Sequence, residues 1–170
     1  MAYIHVYTGN GKGKTTAAMG LLLRALGAGM KVCLVQFLKV TETSELEALR
    51  RFMDQLWVKR YGSGKFVVGE PSEEDRREAR QGLKEAAHAV SCGLYDLVVL
   101  DEVCVALYFK LLSVDEVMKM LQNRAPATEV VLTGRYAPKE LVGKADLVTE
   151  MVEVKHYFNE GVEGRKGIEK

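Results

Sequence analysis

The feature that most constrains this chain is a glycine- and lysine-rich loop between an apolar strand and an amphipathic helix. Ala2–Thr8 is rich in aromatic and β-branched residues, and Thr15–Ala28 carries Ala, Met and Leu at helical spacing. Between them lies the run Gly9-Asn10-Gly11-Lys12-Gly13-Lys14-Thr15-Thr16. Glycines let successive backbone N–H groups face one concavity, and the start of the helix adds partial positive charge. The loop is therefore predicted to bind phosphate groups, as a P-loop does.

The spacing of this loop assigns a role to particular side chains. Lys14 is expected to reach the phosphate oxygens of a triphosphate, and the Thr15 hydroxyl is expected to bind Mg²⁺. Lys12 is either a further phosphate contact or a solvent-facing side chain. Thr8 stands where the usual loop has its first glycine, so the loop is atypical. The alternative is a glycine-rich turn whose lysines are only solvated.

Apolar runs alternate with amphipathic stretches along the chain, which indicates a parallel sheet covered by helices on both faces. The predicted strands are Ala2–Thr8, Lys31–Phe37, Trp57–Tyr61, Leu94–Leu100, Glu129–Thr133 and Asp146–Val154; the predicted helices are Thr15–Ala28, Thr41–Met53, Ser72–Ser91, Val103–Lys110, Ser113 to near Gln122, and Pro138–Gly143. We therefore predict an α/β, three-layer P-loop NTPase (RecA-like) fold with a mostly parallel sheet. Residues 1–170 are expected to form a single nucleotide-binding domain, with the glycine-rich tail 159–170 left unassigned.

A second chemical signal is the apolar run Val98-Val99-Leu100, which ends in Asp101-Glu102. Ligands of open α/β sheets bind at the carboxyl ends of the strands, and Mg²⁺ prefers oxygen ligands. Asp101 and Glu102 are thus candidate magnesium ligands in a Walker B segment, and the sequence leaves open which is nearer the metal. The alternative is that one of them only caps the following helix.

Composition excludes several classes of partner. There are 24 basic and 23 acidic residues, so a net charge of +1 gives no extended field for nucleic acid or an anionic membrane. The first residues lack the pattern of a secretory signal, and no run is long and apolar enough to span a bilayer. Three separated cysteines form no C-x-x-C pair. We expect a cytoplasmic protein with reduced thiols.

Several blocks besides the loop carry a resemblance to one family. They are Val35-Gln36-Phe37-Leu38-Lys39, Tyr95-Asp96-Leu97-Val98-Val99-Leu100-Asp101-Glu102, Asn123-Arg124 with Pro126, Leu132-Thr133-Gly134-Arg135 with Ala137-Pro138, Ala145-Asp146-Leu147-Val148-Thr149-Glu150-Met151, and Val154-Lys155-His156. In order and spacing they resemble the ATP:corrinoid adenosyltransferases, and the resemblance runs from Tyr3 to Ile168.

The resemblance implies that cobalt in its +1 state attacks the 5′ carbon of ATP and that triphosphate leaves. The substrates would be ATP and a corrinoid, with Mg²⁺ as cofactor, and the protein would serve cobalamin biosynthesis or salvage. Lys14, Thr15 and Glu102 would do the catalytic work, and Arg135 would contact triphosphate oxygens unless it forms only a surface ion pair. The family also implies a homodimer and a flavin-dependent reductant.

The sequence departs from the family after the third strand. Gly62-Ser63-Gly64-Lys65-Phe66-Val67-Val68 stands where the family has aromatic residues that close over the corrin. Phe66 is expected to take the aromatic place, whereas Val68 lies near an expected tryptophan. Glu45 is the only match to a family glutamate nearby. The chain also begins at the first strand, without the N-terminal arm of longer relatives, so we expect weaker retention of the corrin or reliance on a partner subunit.

Two other functions remain open from the sequence. A RecA-like ATPase or small kinase would use Glu102, beside Asp101, to orient an attacking water. The other possibility is a non-catalytic relative that binds ATP without the corrin. The altered segment 62–68 supports this possibility. The products formed from ATP discriminate among the three.

Overall fold

The computed structural model describes residues 2–39, 43–64 and 69–169. The strands in these ranges are β1 Ile4–Thr8, β2 Val32–Phe37, β3 Leu56–Tyr61, β4 Leu97–Asp101, β5 Glu129–Thr133 and β6 Leu147–Glu150. The α-helices are α1 Lys14–Gly27, α2 Ser44–Leu49, α3 Glu73–Ser91, α4 Val103–Tyr108, α5 Val114–Gln122 and α6 Lys139–Lys144, and single 3-10 turns cover Arg50–Phe52 and Tyr157–Glu160.

The strands form one six-stranded sheet in the order β3-β2-β4-β5-β1-β6. Each neighbouring pair is parallel, so the sheet in the described ranges is wholly rather than mostly parallel. β5 separates β1, which leads into the glycine-rich loop, from β4, which ends at Asp101. Because parallel strands end at the same edge, the loop and Asp101 meet there. The predicted α/β fold is confirmed.

Alternation along the strands divides the buried apolar side chains between two cores. Val6, Val35 and Val98 belong to the core that packs against α3, α4, α5 and α6. Leu34 and Val99 belong to the opposite core, which packs against α1 and α2. β2 and β4 are buried along their whole length, because helices cover both faces of the sheet there.

The predicted helices that begin at Ser72 and Ser113 start at these residues in the structure, where each serine is the N-cap. Ser72 accepts a hydrogen bond from the Asp75 N–H over 3.2 Å, and the Asp75 carboxylate accepts from the Ser72 N–H over 2.9 Å. Ser113 and Glu116 form the same reciprocal capping box at the start of α5. Both caps depend only on residues three apart, which explains why the sequence reveals them.

Several predicted elements are shorter than expected. The helix predicted over Thr41–Met53 is helical in its described part over Ser44–Leu49 and then tightens into the 3-10 turn. The strand predicted from Leu94 begins at Leu97, and Leu94 itself is 61% exposed. The strand predicted to Val154 ends at Glu150, where the chain leaves the sheet to cross the glycine-rich loop. Within the described ranges, no helix has the length and apolar character needed to cross a membrane.

Helix α3 depends on a glycine where it packs on the sheet. A Cβ at Gly82 would lie 2.8 Å from Phe37 Cε1 and 3.0 Å from Tyr61 Cδ2, whereas a Cβ at Gly20 of α1 would meet nothing within 4 Å. Both glycines are helical, so Ala gives the same gain in helix propensity at each position. We expect Gly82→Ala to have a lower free energy of unfolding than Gly20→Ala by about 1–3 kcal/mol, because only Gly82→Ala overpacks a core.

Urea denaturation of both variants and the parent chain measures this difference. Equal free energies of unfolding for the two variants would show that Phe37 and Tyr61 yield without cost and that α3 is not fixed by close approach at Gly82.

Candidate functional site

A cleft of about 960 Å³ opens at the edge of the sheet where the strands end. One wall is the glycine-rich loop and the first turn of α1, residues 11–16, all of which line the cleft. The lining also contains apolar side chains, among them Leu38, Val105 and Phe109. The cleft therefore offers both polar and apolar groups to a ligand, and its volume suits a large one.

The loop is held by the chain segment that follows β6. The Met151 N–H donates to the Thr8 carbonyl over 2.9 Å, and the Gly11 N–H donates to the Met151 carbonyl over 2.7 Å. A Cβ at Gly9 or at Gly11 would lie 2.4 Å or 2.8 Å from the Met151 oxygen. These two glycines are thus required by the close approach of a second backbone, and Thr8 is tolerated because it still belongs to β1.

Lys14 lies inside the loop and is only 8% exposed. Its Nζ donates to the carbonyl oxygens of Gly9 and Gly11, each over 2.7 Å. Burial lowers the pKa of Lys14, the charge of Arg135 lowers it further, and Glu102 opposes both. The ammonium needs only to exchange these carbonyls for phosphate oxygens to bind a triphosphate.

The Asp101 carboxylate is fully buried and joins several elements. Its Oδ1 accepts from the hydroxyls of Thr15 over 2.9 Å and Thr133 over 2.7 Å. Its Oδ2 accepts from Gln36 Nε2 over 3.0 Å and from Lys39 Nζ over 2.7 Å. Asp101 therefore fixes the Thr15 hydroxyl by a hydrogen bond while that oxygen keeps lone pairs for another partner.

Electrostatics keep Asp101 ionised. Burial alone would raise the pKa of Asp101, but the Lys39 ammonium and the hydrogen bonds from Lys39, Thr133 and Gln36 hold that pKa below its ordinary value. The carboxylate is thus a buried anion whose charge is balanced within the protein.

Glu102 differs from its neighbour because it lines the cleft. Burial raises the pKa of Glu102, and the negative charge of Asp101 raises it further. Its backbone is left-handed, with φ of 62°, a conformation that is strained for a residue with a side chain. Glu102 occupies the N-cap position of α4, yet its side chain makes no capping hydrogen bond, so the alternative of a simple capping role is wrong for it.

Gln36 and Lys39 were not singled out as site residues from the sequence. Gln36 lies in β2, and Lys39 comes shortly after that strand. Their contact with Asp101 depends on the pairing of β2 with β4, in which Gln36 lies opposite Asp101. The buried Gln36 Oε1 has no hydrogen-bond partner, while its Nε2 holds Asp101. The available signal was that polar residues stand at the ends of two apolar runs. Without the strand order, the sequence does not show that these two ends are adjacent.

The C-terminal tail forms another part of the cleft. Gly167, Ile168 and Glu169 line it, and Lys12 Nζ donates to the Ile168 carbonyl over 3.0 Å. The tail is fixed at Glu169, whose carboxylate accepts from Arg165 over 3.2 Å and from the Tyr157 hydroxyl. The segment left unassigned from the sequence therefore lies against the glycine-rich loop.

The other predicted site residues are placed as follows. Thr16 and Arg135 line the cleft, whereas Gly9 and Asn10 do not contribute to its lining. Glu45 and His156 also line it. Phe66 lies outside the described residues.

The described residues contain no group of three or more His, Cys, Asp or Glu side chains arranged to hold a metal by themselves. Thr15 and Glu102 nevertheless line the cleft, and their side-chain oxygens have the chemistry that Mg²⁺ prefers when a bound phosphate supplies further ligands. Cys104 is buried beneath the site, and burial raises the pKa of its thiol to about 12, which keeps it protonated.

The parallel sheet, the glycine-rich loop before α1 and the acidic end of β4 define a P-loop-type α/β protein. The family model for ATP:corrinoid adenosyltransferase BtuR/CobO/CobP matches residues 1–169. The chain belongs to this family.

Curated relatives agree with this assignment. A corrinoid adenosyltransferase of Pseudomonas aeruginosa is 40% identical over 96% of this chain and 81% of its own length. One from Sinorhizobium is 36% identical over 98% of this chain and 79% of its own length. One from Escherichia coli K12 is 35% identical over 98% of this chain and 84% of its own length.

Lys14 and Lys12 provide a matched test of the loop. We expect Lys14→Met to weaken ATP binding by about tenfold to a hundredfold, the effect of losing a charge-assisted hydrogen bond. Lys12→Met should change it by less than about threefold, because Lys12 is exposed and its charge is screened by solvent, whereas Lys14 is buried. Calorimetric titration with ATP measures both affinities. Equal losses in the two variants would contradict the distinction.

Glu102 is expected to reduce the stability of the fold through its backbone and its charge. Glu102→Gly and Glu102→Ala both remove the carboxylate, but only glycine relieves the left-handed backbone. We expect Glu102→Gly to be more stable than Glu102→Ala by about 1 kcal/mol.

The pH dependence follows from the direction of the pKa shift. A carboxyl with a raised pKa in the folded state favours folding at low pH, and that contribution is lost as the pH rises through the raised pKa. Both variants should lack this part of the pH dependence, which begins above about pH 4, in urea denaturation. A parent chain whose stability follows the same pH profile as both variants would contradict the raised pKa.

Proposed function

We propose that this protein transfers the 5′-deoxyadenosyl group of ATP to the Co(I) centre of a corrinoid and releases triphosphate. The observation that carries the proposal is a cleft lined by both the glycine-rich loop and apolar side chains, in a chain of the ATP:corrinoid adenosyltransferase family. In the reaction, the electron pair of cobalt forms a bond to C5′. The C5′–O bond breaks, and its electrons leave on the triphosphate.

The protein's part in this reaction is to bind, orient and neutralise. Lys14 and Arg135 line the cleft beside the loop N–H groups, and together they would hold the triphosphate as negative charge develops on it. Lys14 would exchange the carbonyls of Gly9 and Gly11 for phosphate oxygens. No side chain has to act as the nucleophile, since the corrinoid supplies it.

Mg²⁺ would be held by the Thr15 hydroxyl and the Glu102 carboxylate, with Asp101 fixing Thr15 from behind. This assignment rests on the full use of both Asp101 oxygens by protein donors and on the position of Glu102 at the cleft. When bound, the metal would reduce the negative charge of the triphosphate. Glu102 would thus be the nearer of the two carboxylates to Mg²⁺.

The corrinoid would lie against the apolar side chains of Leu38, Val105 and Phe109. These residues line the same cleft as the loop, so a macrocycle bound there would bring cobalt to the 5′ carbon of ATP. Apolar contact would also exclude water from the reacting atoms. Phe66 would add an aromatic side chain to this cover, as the family resemblance implies.

Family membership supports three further parts of the proposal. The protein would act in the cytoplasm as a homodimer, and a flavin-dependent reductant would supply Co(I). The described free cysteines are compatible with a reducing compartment: Cys33 and Cys104 are buried, and burial raises the pKa of each thiol to about 12.

The decisive experiment is anaerobic incubation of the protein with ATP, Mg²⁺ and chemically reduced cobalamin, followed by identification of the products. We expect adenosylcobalamin and triphosphate in equal amounts, and no adenosylcobalamin when ATP is omitted. The Lys14→Met chain is the matched control for the loop, because it removes one ammonium without changing the apolar residues of the cleft.

Other products would overturn the proposal. ADP and phosphate formed at the same rate without corrinoid would identify a RecA-like ATPase, for which Glu102 would orient the attacking water. Unchanged ATP in the presence of Co(I) would identify a nucleotide-binding protein that has lost the transferase reaction.

A further inference from the structure

Lys39 supplies a cation to the cleft beyond those of the glycine-rich loop. Its Nζ donates to the Oδ2 of Asp101 over 2.7 Å, whereas its side chain remains 24% exposed and lines the cleft. An ammonium group has three N–H donors, and the pair with Asp101 uses one of them. Lys39 is therefore fixed at its tip by a buried carboxylate and still has donors for a ligand.

The backbone that precedes Lys39 is held in a costly conformation. Leu38 is left-handed, with φ of 58°, although leucine disfavours that region. Gly62 packs so closely that a Cβ there would lie 2.9 Å from the Lys39 nitrogen, and the Lys39 N–H donates to the Tyr61 carbonyl over 3.3 Å. Strain of this kind is maintained by its surroundings and concentrates at ligand sites.

The charges around Asp101 give Lys39 a second effect. Lys39 is the cation paired with this fully buried carboxylate, and the other three donors to it, from Thr15, Thr133 and Gln36, are neutral. Without the ammonium, an unbalanced negative charge would lie beneath the Thr15 hydroxyl. A triphosphate would then be repelled from the position that the loop N–H groups favour.

We propose that Lys39 is a triphosphate-binding residue, which donates to the phosphate oxygens of ATP while Asp101 holds its ammonium in place. The inference rests on the proposed function and deepens it, since it names a further ligand of the leaving group. A cation that is already positioned needs no rearrangement as negative charge grows on the triphosphate. Lys39 would thus act with Lys14 from a different segment of the chain.

Binding of inorganic triphosphate, measured by calorimetry without Mg²⁺ or corrinoid, tests this role directly. We expect Lys39→Met to weaken triphosphate binding by about tenfold to a hundredfold. Lys39→Arg, which keeps the charge, should recover part of the loss. Lys119→Met is the control for net charge, because Lys119 is exposed on α5 and lies outside the cleft lining, and it should bind triphosphate as the parent chain does.

A double variant separates direct contact from the balancing of Asp101. Lys39→Met combined with Asp101→Asn leaves no buried charge unpaired, and the partnerless Gln36 Oε1 can turn to accept from the introduced amide. We expect the double variant to bind triphosphate more tightly than Lys39→Met but still several-fold more weakly than the parent chain, because the repulsion is gone and the Lys39 donors are not restored. If Lys39→Met fails to fold, the double variant compared with Asp101→Asn alone gives the same test.

Two outcomes would overturn the inference, and they differ in what else they affect. Parent-like triphosphate binding by Lys39→Met or by the double variant would show that Lys39 does not contact the ligand, and the proposed function would stand. Failure of the parent chain itself to bind triphosphate would also overturn the role of Lys39, and formation of adenosylcobalamin in the product assay would then decide the proposed function separately.

Discussion

The hydrogen-bonded carboxylate of Asp101 is the interaction on which the site depends. It joins the end of β4 to Thr15 at the start of α1, to Gln36 of β2, to Lys39 beyond β2 and to Thr133 of β5. A buried anion is stable only when such donors surround it. The same bonds that stabilise Asp101 therefore fix the positions of a hydroxyl and an ammonium at the cleft.

The glycine-rich loop depends on a second constraint, which is the close passage of the chain after β6. The contact between the Gly11 N–H and the Met151 carbonyl ties the loop to a segment far from it in sequence. Lys12 extends this tie to the tail through Ile168. The glycine-rich loop, near the start of the chain, is thus held by segments near its end. The loop glycines are needed for packing as well as for conformational freedom.

The division of work between Asp101 and Glu102 follows from a change of backbone conformation between them. Asp101 is the last residue of a buried strand, and Glu102 turns into the left-handed region before α4 begins. The turn directs one carboxylate into the protein and leaves the other at the cleft. Two adjacent acids thereby acquire opposite pKa shifts, because one is surrounded by donors and the other is desolvated beside a like charge.

The features that depend on neighbouring residues could be predicted from the sequence alone. These include the buried strands, the helix starts at Ser72 and Ser113, and a glycine-rich loop opening a helix, since hydrophobic periodicity and capping act over a few positions. That Gln36 and Lys39 meet Asp101, that Met151 crosses the loop and that the tail lines the cleft emerges only from the fold. These contacts join residues distant along the chain, and they exist because the parallel strand order brings separate segments to one edge of the sheet.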